Sequence, residues 1–200
     1  MTRMPVRLSI ACLLALTASL AAQTRYFPPE TFGDDPRLDQ FVYGWYSREL
    51  KAMGEPSLFE SSKNPAIESY RFLWLRSFHH PVVVRVDLQT DGSATLITKL
   101  GSGAGGYPPG KLIANRSRLL TKEELQTLIA HINASGFWQR PSYERNKAGT
   151  DGAEWVVEAA VRGKYHLVSE WSPKDGPIHD LGLLFLFQLA ELDIPKSEIY

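Results

Sequence analysis

The sequence predicts an α+β fold: an antiparallel sheet of about five to six strands with helices packed on it, in a single domain. Three observations predict it. Stretches of alternating apolar and polar residues are joined by tight-turn signals, so neighbouring strands run antiparallel. Between them lie segments whose apolar residues recur at helical spacing. The 200 residues are 44% hydrophobic and 22% charged, which suits one proper core and excludes bulk disorder, collagen and coiled coil.

The opening segment, residues 1–22, reads MTRMPVRLSIACLLALTASLAA. Arg3 and Arg7 precede an uncharged, mostly apolar run over 8–20, and Ser19, Ala21 and Ala22 offer small residues for cleavage. This is the anatomy of a secretory signal peptide. The run is short for a membrane anchor. Cys12 lacks the preceding apolar stretch of a lipoprotein signal, so it is assigned to the discarded segment. The expected mature chain is therefore free of cysteine and disulfides, with a periplasmic or secreted location. It keeps 20 basic and 22 acidic residues. That balance predicts no nucleic-acid binding and no stable membrane insertion.

Residues 23–36, with three prolines and a glycine, are expected to form an irregular leader, and 37–200 the α+β domain. A helix is predicted over about 36–53, capped by Asp35 with Pro36 in the first turn; Leu38, Phe41, Val42 and Trp45 make its apolar face. Residues 55–67 read as loop. Tyr70, Phe72 and Trp74 mark a strand, and 82–88 a second. Asp91-Gly92 then turns the chain into a third, 94–100, as a two-residue turn that sets Val86 opposite Ile97 and Leu88 opposite Thr95. After a glycine- and proline-rich loop over 101–110, residues 111–119 form another strand.

Thr121 and Glu124 make a capping box; Leu125, Leu128, Ile129 and Ile132 follow on one helical face, and Gly136 ends the helix. The stretch 139–152 is polar. A second hairpin is expected over 153–172 with a three-residue loop at 162–164. That register pairs Trp155 with Trp171 and puts Glu154, Glu158, His166 and Glu170 on the opposite face. Residues 178–192 are apolar nearly all round, as in a buried core helix. Helices on one sheet face would complete two layers.

The candidate sites are few. The stretch 105–111, GGYPPGK, satisfies the G-x-x-x-x-G-K spacing, but Pro108 and Pro109 supply no N–H. Leu112 stands where a hydroxyl is needed, and a strand follows instead of a helix, so no nucleotide site is expected. Gly105, Gly106 and Tyr107 remain ligand-binding candidates, because glycines let backbone approach a bound molecule. His79 and His80 are metal candidates, although neighbours on a strand point to opposite faces and cannot easily share an ion. No metal and no cofactor is expected. His166, with Glu158 as diagonal neighbour, is the catalytic candidate: a carboxylate that orients an imidazole builds a general base. Arg71, Arg76 and Arg85 could pair these acids instead. No G-x-S-x-G is present. The five tryptophans are assigned mainly to core faces.

The strings ESYRFLWLRSFHHPVVVRV, GAGGYPPGKL and GTDGAEWVVEAAVRGKYHLVSEWSP resemble a family of small exported bacterial proteins of unassigned function. The likeness covers about residues 68–192. It rests on the Leu-Arg-Ser-Phe strand end at 75–78, the glycine loop at 105–110, the Asp-Gly-x-x-Trp strand at 151–155, Tyr165-His166 and the Trp-Ser-Pro at 171–173. A second proline in the glycine loop departs from the pattern. The resemblance implies export and one shared domain, and brings no activity, cofactor or site residue. The leading expectation is a non-catalytic module that binds an envelope protein or a small ligand. Beside it stand an envelope hydrolase using His166 and Glu158, and a subunit that docks on a partner through the 178–192 helix.

Overall fold

The structure, a computed structural model, describes residues 24–143 and 149–200. The segment read as an export signal, with Cys12, and part of the polar stretch 139–152 lie outside the described residues.

Helix α1 (Pro36–Ala52) begins as predicted. The Asp35 carboxylate accepts from the backbone N–H groups of Arg37 and Leu38 at 3.0 and 3.4 Å, and Pro36 occupies a position whose N–H would be unpaired anyway. A short helix α2 (Leu58–Ser61), capped by Ser57, lies in the stretch expected to be loop. Strands β1 (Glu68–Arg76), β2 (Val82–Leu88), β3 (Ala94–Gly101) and β4 (Leu112–Leu119) follow as a meander. The Thr121–Glu124 capping box is complete in both directions at the start of α3 (Lys122–Ala134). Strands β5 (Ala153–Val161) and β6 (Lys164–Trp171) form a hairpin, and α4 (Pro177–Leu183) closes the main fold.

The described strands make one six-stranded antiparallel sheet in the order β4-β3-β2-β1-β5-β6. Strand β1 is central, and every residue of it after Glu68 is buried. That corrects the two-layer expectation, because the sheet is covered on both faces. Tyr70, Phe72, Trp74, Trp155 and Val157 pack under α3, α4 and the following turn. Leu73, Leu75, Val83, Val156 and Leu167 pack under α1 and the leader. The near-continuous apolar run of β1 is what a strand buried on both faces requires.

The leader is irregular, as expected, but it belongs to the core. Phe27 and Phe32 are fully buried and meet Tyr46 of α1 edge-on at 6.3 and 5.2 Å. Helix α1 turns the predicted face inward except for Phe41: Leu38 and Trp45 pack on the core beside Val42. Val42, Tyr46 and Leu50 are buried, while Phe41 is 67% exposed. The apolar residues of α1 cover more of its circumference than one packing stripe needs, so some of them face elsewhere.

Both hairpin registers differ from expectation by one residue. The β2–β3 connection is a three-residue loop over 90–92, closed by Gln89 N–H donating to the Ser93 carbonyl, so Val86 faces Leu96 and Leu88 faces Ala94. The β5–β6 turn holds only Arg162 and Gly163, with φ of 50° and 78°. Two consecutive positive φ values define the twist-matched turn that antiparallel strands favour. Trp155 therefore faces Glu170, and Val157 faces Val168.

The apolar 178–192 segment is helical and buried, but not one α-helix. After α4 it widens into a π-helical turn over Leu184–Leu189 and stops at Glu191, whose φ is 50°. Ile178, Leu181, Leu184, Phe185, Leu186 and Leu189 all lie in the core. The docking surface expected of this helix is thus mostly occupied by the sheet.

Candidate functional site

Because side chains alternate along a strand, a one-residue change of register exchanges faces. The observed pairing sets Ala159 opposite His166 and Glu158 opposite Leu167. The sequence-predicted dyad is therefore not assembled: Glu158 points to the α1 side and His166 to the α3 side. His166 Nε2 shares a hydrogen bond of 3.0 Å with the Arg140 carbonyl, and its ring packs on Phe137 and Trp138. Burial holds its imidazole below the ordinary histidine range. It pins the segment after α3 against the sheet. Glu170 pairs with Arg140 at 2.9 Å.

Glu158 is fully buried in an ion network. Arg71 Nε and Nη2 donate to its Oε2 at 2.8 and 2.5 Å, and the Tyr165 hydroxyl donates to its Oε1 at 2.8 Å. Arg71 Nη1 also donates to the Pro56 carbonyl at 2.7 Å. Glu55 stands beside Arg71, Arg85 and Lys99 at 3.4, 3.0 and 2.8 Å. Burial pushes the Glu55 carboxyl up, yet these three cations hold it below the ordinary carboxylate value. The charges are closed on one another, which is how buried ions are tolerated. This network fastens the segment after α1 to the sheet and leaves no free base.

The two metal candidates are likewise engaged in holding chain segments. His79 Nδ1 lies 2.8 Å from the Tyr200 hydroxyl, and its Nε2 3.6 Å from Glu198. His80 Nδ1 lies 2.9 Å from the Gly103 carbonyl. They do not converge. Among the described residues no group of three or more His, Cys, Asp or Glu could hold a metal ion.

The glycine-loop candidates do meet a cavity. Gly105 lies so close to β1 that a Cβ there would come within 2.6 Å of Leu75 Cα. Its carbonyl accepts from Trp45 Nε1 at 2.5 Å, which ties the loop to α1. Gly106 then lines a cleft of about 650 Å³ together with Phe41, Trp45, Arg48, Glu154 and Trp171. The volume exceeds that of the groove of about 590 Å³ between α4 and the C-terminal segment, and lies in the usual range for small-molecule sites. The Trp171 ring is closely packed on one side: a Cβ on Gly149 or Gly152 would fall 2.5 or 2.7 Å from indole atoms.

Glu154 supplies the polar end of this cleft. It is 2% exposed, and its Oε2 accepts from the Ser169 hydroxyl at 2.7 Å, itself 2.9 Å from the Tyr46 hydroxyl. Burial raises the Glu154 carboxyl above its ordinary value, against the pull of hydrogen bonds from Ser169 and Tyr46. The Ser169–Glu154 pair does not form a nucleophile with its base, because Ser169 is 3% exposed and held between two partners.

Of the aromatic residues that line the cleft, Phe41 is 67% exposed and Trp45 and Trp171 are half-buried. Phe78 and Tyr107, 58 and 55% exposed, follow the lining residues Ser77 and Gly106 in the chain. Phe41 approaches Trp45 at 6.2 Å, Phe78 approaches Tyr107 at 6.3 Å, and Arg48 Nη2 donates to the Tyr107 carbonyl at 3.4 Å. The sequence pattern placed Phe41 in the core, and put Glu154 on one charged face with Glu158, His166 and Glu170 without joining it to this cleft. The available signal was the surplus of aromatics on α1 beyond those a single buried stripe requires. No protein-family model matches this chain, and no curated protein and no solved structure matches it significantly. No helix among the described residues is long and apolar enough to cross a membrane.

Proposed function

We propose that this chain is an exported, non-catalytic binding module of the bacterial envelope, periplasmic or secreted, and that its ligand sits in the cleft between α1, the glycine loop and Trp171. One observation carries the reading: the exposed Phe41 and the half-buried Trp45 and Trp171 line a cavity whose wall includes a buried carboxyl. Large exposed aromatics cost solvation in a free surface and are typical of contact sites. Convergent polar groups at the inner end of a largely apolar cavity give a ligand its orientation. The charged opening segment and the sequence likeness to exported proteins support the location.

Two measurements test the reading. Chemical-shift mapping with a fragment library on residues 23–200 should move the Trp45 and Trp171 indole N–H signals together. Hits spread evenly over the surface, or none, would overturn the binding assignment. Mass spectrometry of the protein from its native host should find a chain beginning near residue 23; an intact Met1 on a cytosolic species would remove the envelope setting.

A further inference from the structure

We propose that the cleft takes a neutral saccharide, with pyranose rings laid against Trp45 and Trp171 and hydroxyls held at Glu154. This inference rests on the binding assignment above and specifies its ligand. A sugar ring is amphipathic. Its C–H faces are apolar and its edge is ringed with groups that both donate and accept hydrogen bonds. A matching site needs aromatic faces beside short-range polar partners, without a free charge.

The cleft has this combination. The aromatic side chains that line it are Trp45 and Trp171, with the exposed Phe41 6.2 Å from Trp45. Trp45 is pre-oriented, because its indole N–H is already committed to the Gly105 carbonyl. Trp171 is closely packed by backbone at Gly149 and Gly152. Such fixed rings lose little freedom when a ligand arrives, which favours affinity. The polar partners are the Glu154 carboxyl and the segments at Ser77 and Gly106.

Other ligand classes fit less well. An anion would be drawn to Arg48, which stands half exposed at the cleft with only its Nη2 engaged, but would meet the Glu154 carboxyl in the same lining. A cation would meet Arg48. A purely apolar chain would cover Glu154 and Arg48 without satisfying them, at a cost. A planar base asks for two parallel aromatic walls. The lining rings Phe41 and Trp45 are instead inclined to each other by 48°. Splayed rings suit a puckered ring better than a flat one.

The test is calorimetric titration of residues 23–200 with neutral trisaccharides of glucose, mannose and N-acetylglucosamine, α- and β-linked. Adenosine, choline, decanol and inorganic phosphate serve as planar, cationic, apolar and anionic probes. At least one trisaccharide should bind, and Trp45→Ala and Glu154→Gln should each weaken it about tenfold or more. Trp45→Phe, which keeps an aromatic face, should retain more affinity than Trp45→Ala. Thermal unfolding of each variant checks that the fold survives. Binding of adenosine, choline, decanol or inorganic phosphate in preference to every trisaccharide would overturn the saccharide assignment, as would saccharide binding indifferent to Trp45→Ala in a folded variant. If fragments move the Trp45 and Trp171 signals while no trisaccharide binds, the saccharide inference fails and the binding site stands. If nothing moves those signals, both fail.

Discussion

Glu158 and His166 lie on opposite faces of the sheet, although a turn one residue longer would have placed them on the same one. The deciding element is the two-residue turn Arg162-Gly163, in which both residues have positive φ. Glu158 is thereby enclosed with Arg71 and Tyr165, and His166 packs on Phe137 and Trp138. A catalytic pair visible in the linear pattern is dissolved by one dihedral choice.

The strain in this turn is measurable. Arginine is not favoured in the left-handed region, whereas asparagine tolerates it. Arg162→Asn is expected to raise stability by about 0.5–1 kcal/mol. Gly163→Val, which puts a β-branched side chain at φ 78°, should lower it by about 1–2 kcal/mol or more. Urea denaturation of the two variants checks both signs. A stabilised Gly163→Val would mean that the hairpin adopts the longer loop.

Much of the architecture was readable from the residues. The Asp35 cap, the Thr121–Glu124 box and the alternation in β1, β2 and β5 each carry a local physical signal, and each element appears where that signal lies. Register was not readable, because Arg-Gly-Lys accommodates loops of two or three residues and only packing arbitrates. Nor was the second helical layer: Leu73 and Leu75 alternate with Phe72 and Trp74, and no single strand says what covers its far side. The cleft was hidden for a related reason. Phe41 and Trp45 have the same periodicity as Val42 and Tyr46, and helical spacing does not distinguish an aromatic turned to the core from one turned to a cavity. The run of glycines marked close backbone approach, and what it approaches is the chain at Leu75 and Ser77.

The Arg71 network is expected to tolerate little. Arg71→Met strands Glu158 and part of the Glu55 charge in a fully buried setting. Removing one partner of a buried pair costs about 3–5 kcal/mol. Adding Glu158→Leu should recover part of that loss, since it removes the stranded carboxylate. Chemical denaturation of the single and double variants reads this out; a double variant no more stable than the single one would show that losing Arg71 does not strand Glu158, its hydrogen bond from Tyr165 sufficing.

Gly105 couples the sheet to the cleft. A methyl group there meets Leu75 backbone, which cannot yield without disturbing the β1 ladders. Overpacking of this kind costs about 1–3 kcal/mol. Gly105→Ala should also displace the carbonyl that accepts from Trp45 Nε1, shifting the Trp45 indole N–H resonance. Unchanged stability together with an unchanged Trp45 signal would show that the loop does not rest on β1 as described.

Glu49 makes stability depend on pH in the direction opposite to most acids. It is fully buried on α1, its Oε2 has no hydrogen-bond partner, and its neighbour Arg48 is half exposed. Burial pushes its carboxyl up to about 7, with Arg48 only partly offsetting it. Below its ordinary value of 4.5 the group is protonated both folded and unfolded, and its contribution is at its most favourable. As pH rises from there to about 7, the unfolded chain releases the proton first, so stability falls by an amount on the order of 2–3 kcal/mol. Above about pH 7 this contribution is constant. His166 works the other way in part of the same window: its lowered value means stability is lost as pH falls through the histidine range. Glu124, held down to about 2 by Arg118 and Thr121, matters only at more acidic pH. The comparison must therefore be between proteins at each pH. Glu49→Gln should match the original chain near pH 4.5 and exceed it by about 2–3 kcal/mol near pH 8, measured by urea unfolding. A constant difference between the two proteins across that range would mean that Glu49 keeps its ordinary acidity in the fold.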